Sequence, residues 1–206
     1  MPAPVKLFLA SSNPGKLREF RALARSSPAA WPVELNLLPD YDSLPPFHED
    51  APTFAENALG KALHYSRLIK GLILADDSGL VVPALGGAPG VQSARYAGPA
   101  ATSAQRIEKL LAELLGKTRA ERAAYFVCAI ALAEGGCARA IVTDRVEGEI
   151  LASSSGTSGF GYDPVFHFPP LGNTFADLTP EEKNLHSHRG KAFRKLLQSL
   201  ASIALR

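Results

Sequence analysis

The chain has 206 residues, of which 46% are hydrophobic and 20% charged, and this composition predicts one globular domain over residues 1–206. The formal net charge is only +2. Because the charged residues are scattered rather than gathered in blocks, composition argues against a nucleic-acid-binding stripe and against an acidic tail. Any anionic partner is therefore expected to be a small molecule.

The chain has two cysteines, Cys128 and Cys137, which are too few for a disulfide framework and lack the spacing of metal ligands. Reduced thiols are therefore expected. No stretch approaches about 18 consecutive apolar residues, and the first residues show no signal-peptide cleavage pattern. These features predict a cytoplasmic protein with no membrane partner.

The first predicted elements are a strand over residues 5–10, a turn over residues 11–16 and a helix that starts at once. Asn13 is placed to cap this helix, and Pro14 suits its first position. A helix N-terminus offers backbone N–H groups and a positive dipole, and Lys16 adds a full charge. The segment therefore predicts an anion site, with an ordinary capped helix start as the open alternative.

A second candidate follows the next helix, which a Ser/Thr-x-x-Glu pattern starts at Thr53. A short strand over residues 72–75 then leads into the adjacent pair Asp76 and Asp77. Neighbouring carboxylates repel one another unless a cation compensates, so a divalent metal is a natural partner. The alternative is an acidic turn in solvent. Two acids before the helix, Glu49 and Asp50, are candidates to complete the set.

The sequence pattern over residues 102–146 predicts a further helix and two further strands. A helix begins at Thr102, which forms a capping box with Gln105. Apolar runs over residues 125–133 and 138–146 flank a Glu-Gly-Gly turn and predict an antiparallel hairpin. Since residues 5–10 and 72–75 are joined through helices, the predicted sheet is mixed.

The last third of the chain contains a Ser/Gly-rich loop that ends in Phe160-Gly161-Tyr162-Asp163. Aromatic rings beside a glycine backbone suit stacking against a base, although such loops are also common at strand entrances. A third capping box at Thr179 opens a C-terminal helical region. Basic residues follow at Lys183, His188 and Arg189, for which a solvated helix face is the alternative reading.

Six segments in one order, spread over residues 7–197, resemble the inosine triphosphate pyrophosphatase family: SSNPGK, TFAENALGKA, LADDSGL, GGAPGVQSARYAG, GFGYDP and LTPEEKNLHSHRGKA. The resemblance implies an α/β fold, with an elongated mixed β-sheet flanked by helices. It also implies two lobes with a nucleotide-binding cleft between them, and a homodimer.

The resemblance further implies a role for each matching residue. Asp77 would be the general base, and Glu49 and Asp77 would bind one or more Mg²⁺ ions per subunit. The implied substrate-binding residues are Ser11, Ser12, Asn13, Pro14, Gly15, Lys16, Ser78, Phe160, Gly161, Tyr162, Asp163, Lys183, His188 and Arg189. Asn57, Lys61, Asp76 and Arg95 match family positions near the cleft without assigned roles.

The implied reaction is metal-dependent hydrolysis of inosine, deoxyinosine and xanthosine triphosphates (ITP, dITP, XTP) to the monophosphate and pyrophosphate. It would keep these nucleotides out of DNA and RNA. Lys183 and Arg189 donate hydrogen bonds only, which suits a purine with a carbonyl at position 6 rather than adenine. Two alternatives stay open, a nucleotide-binding module without catalysis and a phosphohydrolase that acts on standard triphosphates.

Overall fold

The computed structural model describes residues 4–26 and 32–203. Within these residues the strands are β1 (Val5–Leu9), β2 (Val33–Leu37), β3 (Leu72–Val81), β4 (Ala123–Glu134), β5 (Cys137–Ile150), β6 (Phe166–Phe168) and β7 (Asn173–Thr174). The α-helices there are α1 (Pro14–Ser26), α2 (Phe54–Leu68), α3 (Ser103–Glu113), α4 (Pro180–His186) and α5 (His188–Ile203). The predicted capping boxes at Thr102 and Thr179 are both formed.

The strands form one sheet in the order β2-β1-β3-β4-β5-β6-β7. β1 pairs in parallel with β2 and β3, whereas β6 pairs antiparallel with β5 and β7. Gly135 and Gly136, with φ of 58° and 77°, connect β4 to β5 in the two-residue turn that suits a hairpin. The predicted mixed sheet flanked by helices is confirmed.

The chain divides into two compact units. The first unit comprises Met1–Asp77, Cys128–Asp144 and Arg189–Arg206. Its core follows the alternation of β4, since successive side chains of a strand point to opposite faces. Cys128, Ile130 and Leu132 pack in a cluster with α1 and α5, where the Phe20 and Phe193 rings meet edge to face at 5.6 Å. Ala129, Ala131 and Ala133 pack with α2 in a second cluster.

The second unit comprises Ser78–Val127 and Arg145–His188. Its core is more aromatic than that of the first unit. Phe126, Phe166 and Phe175 lie against one another, with ring centroids 4.6 to 6.0 Å apart. The apolar face of α3 joins the same cluster through Ile107 and Leu110. This packing explains the helical spacing of apolar residues after Thr102.

β3 is longer than predicted. It runs from Leu72 to Val81, so Asp76 and Asp77 lie inside the strand rather than in a turn. β1 ends opposite Leu74 of β3, and the Ala10 N–H donates to the Leu74 carbonyl at 2.8 Å. The chain therefore leaves the sheet at Ala10, while β3 continues past it and carries both carboxylates beside the turn over residues 11–16.

Both cysteines are free thiols, Cys128 buried and Cys137 exposed. Burial raises the pKa of the Cys128 thiol, which keeps it protonated and unreactive. Across residues 4–26 and 32–203, none of the helices is long and apolar enough to cross a membrane.

Candidate active site

The turn between β1 and α1 is organised by Asn13. Its side-chain oxygen Oδ1 accepts from the backbone N–H groups of Gly15 and Lys16 at 2.9 and 3.1 Å. Its own N–H donates to Ser11 Oγ at 3.2 Å. Asn13 is therefore a helix cap, as predicted, and it occupies two of the N–H groups that the sequence offered to an anion. Ser12 and Pro14 are exposed on the same turn.

Lys16 points from this turn to β3. Its Nζ lies 2.9 Å from Oδ2 of Asp76, a carboxylate with no solvent exposure. Arg189 Nε lies 3.8 Å from the same oxygen. Burial alone would raise the pKa of Asp76, but Lys16, Arg189 and Lys61 outweigh it and hold that pKa below its usual value. Asp76 is therefore a buried negative charge that pairs with Lys16 and attracts Arg189 and Lys61.

Asp77 has different surroundings because adjacent strand residues point to opposite faces. Asp76 faces α1 and α5, whereas Asp77 faces α2, where Asn57 Nδ2 donates to its Oδ2 at 3.0 Å. Burial, followed by the charge of Glu49, raises the pKa of Asp77 from 3.8 to about 6. Lys16, Arg189 and Lys61 supply the positive charge that compensates Asp76, and Glu49 is the carboxylate whose charge raises the pKa of Asp77.

Glu49 lies on the segment before α2 and forms an ion pair with Lys61. Lys61 is almost buried, and its Nζ also donates to the Asp76 carbonyl at 2.7 Å. The charges of Asp76 and Glu49 overcome the effect of burial and raise the pKa of Lys61. Asp50, the other acid considered for this set, is exposed.

The carboxylates of the first unit fit a magnesium ion. Asp77 and Glu49 are close enough to repel, and a cation between such groups removes the repulsion. Mg²⁺ usually takes only one or two protein carboxylates, together with waters and substrate phosphates. Among the described residues no group of three or more His, Cys, Asp or Glu side chains is placed to hold a metal, so an all-protein cage is absent there.

Ser78 is half-buried on β3, next along the chain from Asp77. Of the other predicted substrate residues of the second unit, Phe160 and Lys183 both contact Asp163. Its buried carboxylate oxygen Oδ2 accepts from the Phe160 N–H and from Lys183 Nζ, each at 2.6 Å. Lys183 Nζ also lies 4.9 Å from the centre of the Phe160 ring. One carboxylate thus holds both the Phe160 backbone and the Lys183 ammonium group. Gly161, the residue after Phe160, has a left-handed conformation at φ 65°.

The side chains of Tyr162 and His188 are buried, which leaves them less able to contact a substrate than the sequence implied. Tyr162 is 4% exposed in the core of the second unit, and its hydroxyl donates to the Ser93 carbonyl at 3.0 Å. The His188 ring is also buried and stacks on Phe126 at 4.7 Å. Of the two aromatic rings proposed to stack on a base, Phe160 is therefore the one with an exposed surface.

Arg189 belongs to the first unit, where its guanidinium is buried over the Phe20 ring and pairs with Glu19. Glu19 was not among the predicted site residues, although its position three residues after Lys16 puts both on one face of α1. Asn57 and Lys61 had no predicted role, although their four-residue spacing predicts a shared helix face.

Fold and site together define an α/β protein in which Lys16, at the start of α1, lies beside two buried aspartates on the neighbouring parallel strand β3. The chain belongs to the Ham1 family, whose model matches residues 7–199. The family resemblance drawn from the six segments is confirmed.

Relatives and solved structures agree with this assignment. The dITP/XTP pyrophosphatase of Geobacillus kaustophilus is 49% identical over 93% of this chain and 92% of its own. That of Gloeobacter violaceus is 48% identical, with the same coverage. The HAM1 protein structure from Coxiella burnetii has a TM-score of 0.83 and 42% identity, covering 96% of this chain and 99% of its own.

Proposed function

We propose that this protein hydrolyses the triphosphates of deaminated purines, namely ITP, dITP and XTP, to the monophosphate and pyrophosphate. The observation that carries the proposal is that, in the first unit, Lys16 at the start of α1 lies beside the strand that carries Asp76 and Asp77. The name dITP/XTP pyrophosphatase, which the relatives share, supports the same activity. Removal of these nucleotides keeps them out of DNA and RNA.

In this proposal Lys16 and the turn over residues 11–16 bind the triphosphate. Asp77 acts as general base, taking a proton from the water that attacks the α phosphorus, and pyrophosphate leaves. In the metal-free protein the pKa of Asp77 is about 6, so its carboxylate is ionised at neutral pH, the form that a general base needs. Asp76 does not take part directly, since it is committed to Lys16 and Arg189.

Glu49 and Asp77 would hold the magnesium ion. When bound, it would neutralise phosphate charge as a Lewis acid and order the attacking water. Lys61 keeps Glu49 in place through their ion pair. The assignment of Mg²⁺ is supported by the carboxylate chemistry of the site and by the family resemblance.

For the base, we propose that Phe160 stacks on the purine and that Lys183 donates to its 6-carbonyl oxygen. Lys183 is fixed by Asp163, which limits its freedom to adapt to another base. Adenine presents an amino donor at that position, so a site that offers only a donor discriminates against it. Arg189 is also a substrate-binding residue in this proposal, and its ion pair with Glu19 orients its guanidinium.

The test is product identification after incubation with ITP and Mg²⁺, with ATP and GTP in parallel reactions. We expect inosine monophosphate and pyrophosphate, formed selectively, and no turnover in excess EDTA. Release of orthophosphate, or equal use of ATP, would replace the proposal with a general phosphohydrolase. Nucleotide binding with no product would leave a binding module.

We also propose a homodimer in the cytoplasm. The dimer is supported by the family resemblance, and the location by the two unpaired thiols, which suit a reducing compartment. Light scattering coupled to gel filtration tests the dimer. A mass of about one chain at micromolar concentration would refute it.

A further inference from the structure

Asn57 is a fully buried amide on α2 whose hydrogen bonds join two parts of the first unit. Its Nδ2 donates to Asp77 Oδ2 at 3.0 Å and to the Ala51 carbonyl at 3.2 Å. Its Oδ1 accepts from the Ala51 N–H at 2.9 Å. One side chain therefore contacts both the strand that carries Asp77 and the segment that carries Glu49.

The pairing with Ala51 fixes the plane of the amide. Because Oδ1 and Nδ2 meet the N–H and the carbonyl of one residue, rotation of the amide by 180° would set donor against donor and acceptor against acceptor. The second Nδ2 hydrogen is thereby aimed at Asp77. The orientation of this donor is a consequence of backbone contacts six residues earlier in the chain.

Lys61 makes the parallel connection one helical turn later. It contacts the Glu49 carboxylate and the Asp76 carbonyl, on the same segment and the same strand that Asn57 joins. Residues four apart lie on one helix face, so α2 presents both groups together. Lys61 supplies charge, whereas the neutral amide of Asn57 supplies direction.

We propose that Asn57 is a positioning residue for hydrolysis, which holds the Asp77 carboxylate and the Glu49 segment in one fixed arrangement. This inference rests on the proposed function. An amide cannot take up the proton of the attacking water, so Asn57 acts through Asp77 and is not itself a catalytic residue. Groups that orient a metal-binding or catalytic side chain in this way typically contribute about 10- to 100-fold to activity.

The principal variant is Asn57→Leu, which keeps the approximate size of the side chain and removes both donors without adding a charge beside Asp77. We expect kcat for ITP to fall about 10- to 100-fold while KM changes less than about 3-fold, since the nucleotide contacts are untouched. Asn57→Ser, a shorter variant, should give a similar loss. Either variant is used once its thermal unfolding shows a folded protein at the assay temperature.

A matched control is Ser66→Ala, a second buried polar residue of α2. Its hydroxyl accepts from the Gly136 N–H at 3.0 Å and contacts neither Asp77 nor the Glu49 segment. We expect it to lower thermal stability while kcat stays within about 2-fold of wild type. An equal loss of kcat in Ser66→Ala would overturn the positioning role, because destabilisation would then explain the effect.

Hydrogen exchange without metal or nucleotide gives a readout that does not depend on activity. In the wild type the Ala51 amide should be protected, and in Asn57→Ser it should exchange at least about 10-fold faster. Rapid exchange in the wild type, or wild-type kcat in a folded Asn57 variant, would overturn the inference. If the wild type releases no pyrophosphate, the proposed function fails, whereas unprotected Ala51 in an active enzyme refutes only the role of Asn57.

Discussion

Each compact unit contains a lysine–aspartate pair whose carboxylate is buried, and the two pairs have different surroundings. Lys16 and Asp76 of the first unit lie among further charges, with Arg189 and Lys61 acting on the same carboxylate. Lys183 and Asp163 of the second unit lie against the Phe160 ring and a backbone N–H group. The same two residue types thus build a charge network in one unit and an oriented donor beside an aromatic surface in the other.

This difference shows why a lysine–aspartate pair has no function by itself. A site for a polyanion and a metal ion needs several charged side chains in fixed positions. The first unit contains such a set of charged side chains, held by ion pairs. A neutral ring requires a flat surface and a donor of fixed direction. We therefore expect substitutions in the first unit to affect all triphosphates and substitutions in the second unit to affect the choice of base.

The largest expected effect is that of Asp77→Asn. Asparagine keeps the shape of the side chain but cannot accept the proton of the attacking water, so kcat for ITP should fall about 100- to 10,000-fold. Pyrophosphate release under saturating ITP measures the change. The matched control is Asp50→Asn, an exposed acid on the same segment as Glu49, which should keep kcat within about 2-fold. Full activity in Asp77→Asn would remove Asp77 from the mechanism.

The next effect concerns stability and pH in the metal-free protein. Because the folded protein raises the pKa of Asp77 from 3.8 to about 6, the native state binds this proton more tightly than the unfolded chain does. The ionised carboxylate therefore costs nothing below about pH 4, costs progressively more up to about pH 6, and costs the full amount above it. The difference between these two pKa values sets an upper limit of about 3 kcal/mol on the free-energy cost of ionising Asp77 in the folded protein.

Asp77→Asn removes that cost because asparagine does not ionise. In EDTA the variant should be more stable than wild type at pH 8, and the difference should shrink as pH falls toward 4.5. Urea unfolding at the two pH values measures the free energy of unfolding of both proteins. A difference that is independent of pH would show that Asp77 has an ordinary pKa.

The smallest expected effect is a difference in substrate preference between variants of Lys16 and Lys183. Lys16→Met should lower kcat/KM about 10-fold or more for ITP and for ATP alike, because it removes the charge that we propose contacts phosphate. Lys183→Met should lower kcat/KM for ITP by about 10-fold and leave that for ATP nearly unchanged, so that the ITP preference falls. Parallel assays at high enzyme concentration measure kcat/KM for ITP and for ATP in each variant.

Lys195→Met serves as the control for both lysine variants. Lys195 forms an exposed ion pair with Asp144 on the surface of the first unit, so both kcat/KM values should stay within about 2-fold of wild type. A loss of ITP preference in Lys16→Met, or an equal loss for ITP and ATP in Lys183→Met, would contradict the division of roles between the units.

Much of the local structure was predictable from the sequence because its signals are local. The Asn13 cap, the boxes at Thr102 and Thr179, and the Gly135-Gly136 hairpin all depend on residues within a few positions of one another. The motif order also identified the family. In the sequence, however, Tyr162 and Phe160 were equivalent aromatic residues, although one is a core residue and the other is partly exposed.

The sequence by itself determined the strand over residues 5–10, the β4–β5 hairpin, the helix caps at Asn13, Thr102 and Thr179, the mixed sheet and the residue types of the site. Only the tertiary structure decided which charges meet. The length of β3 past the end of β1 put Asp76 and Asp77 on opposite faces, and so gave one a lowered and the other a raised pKa. The packing of α5 put Arg189 with Glu19, which lies 170 residues away in the chain. Periodicity and capping act between neighbours, whereas these charge pairs depend on how distant strands and helices align.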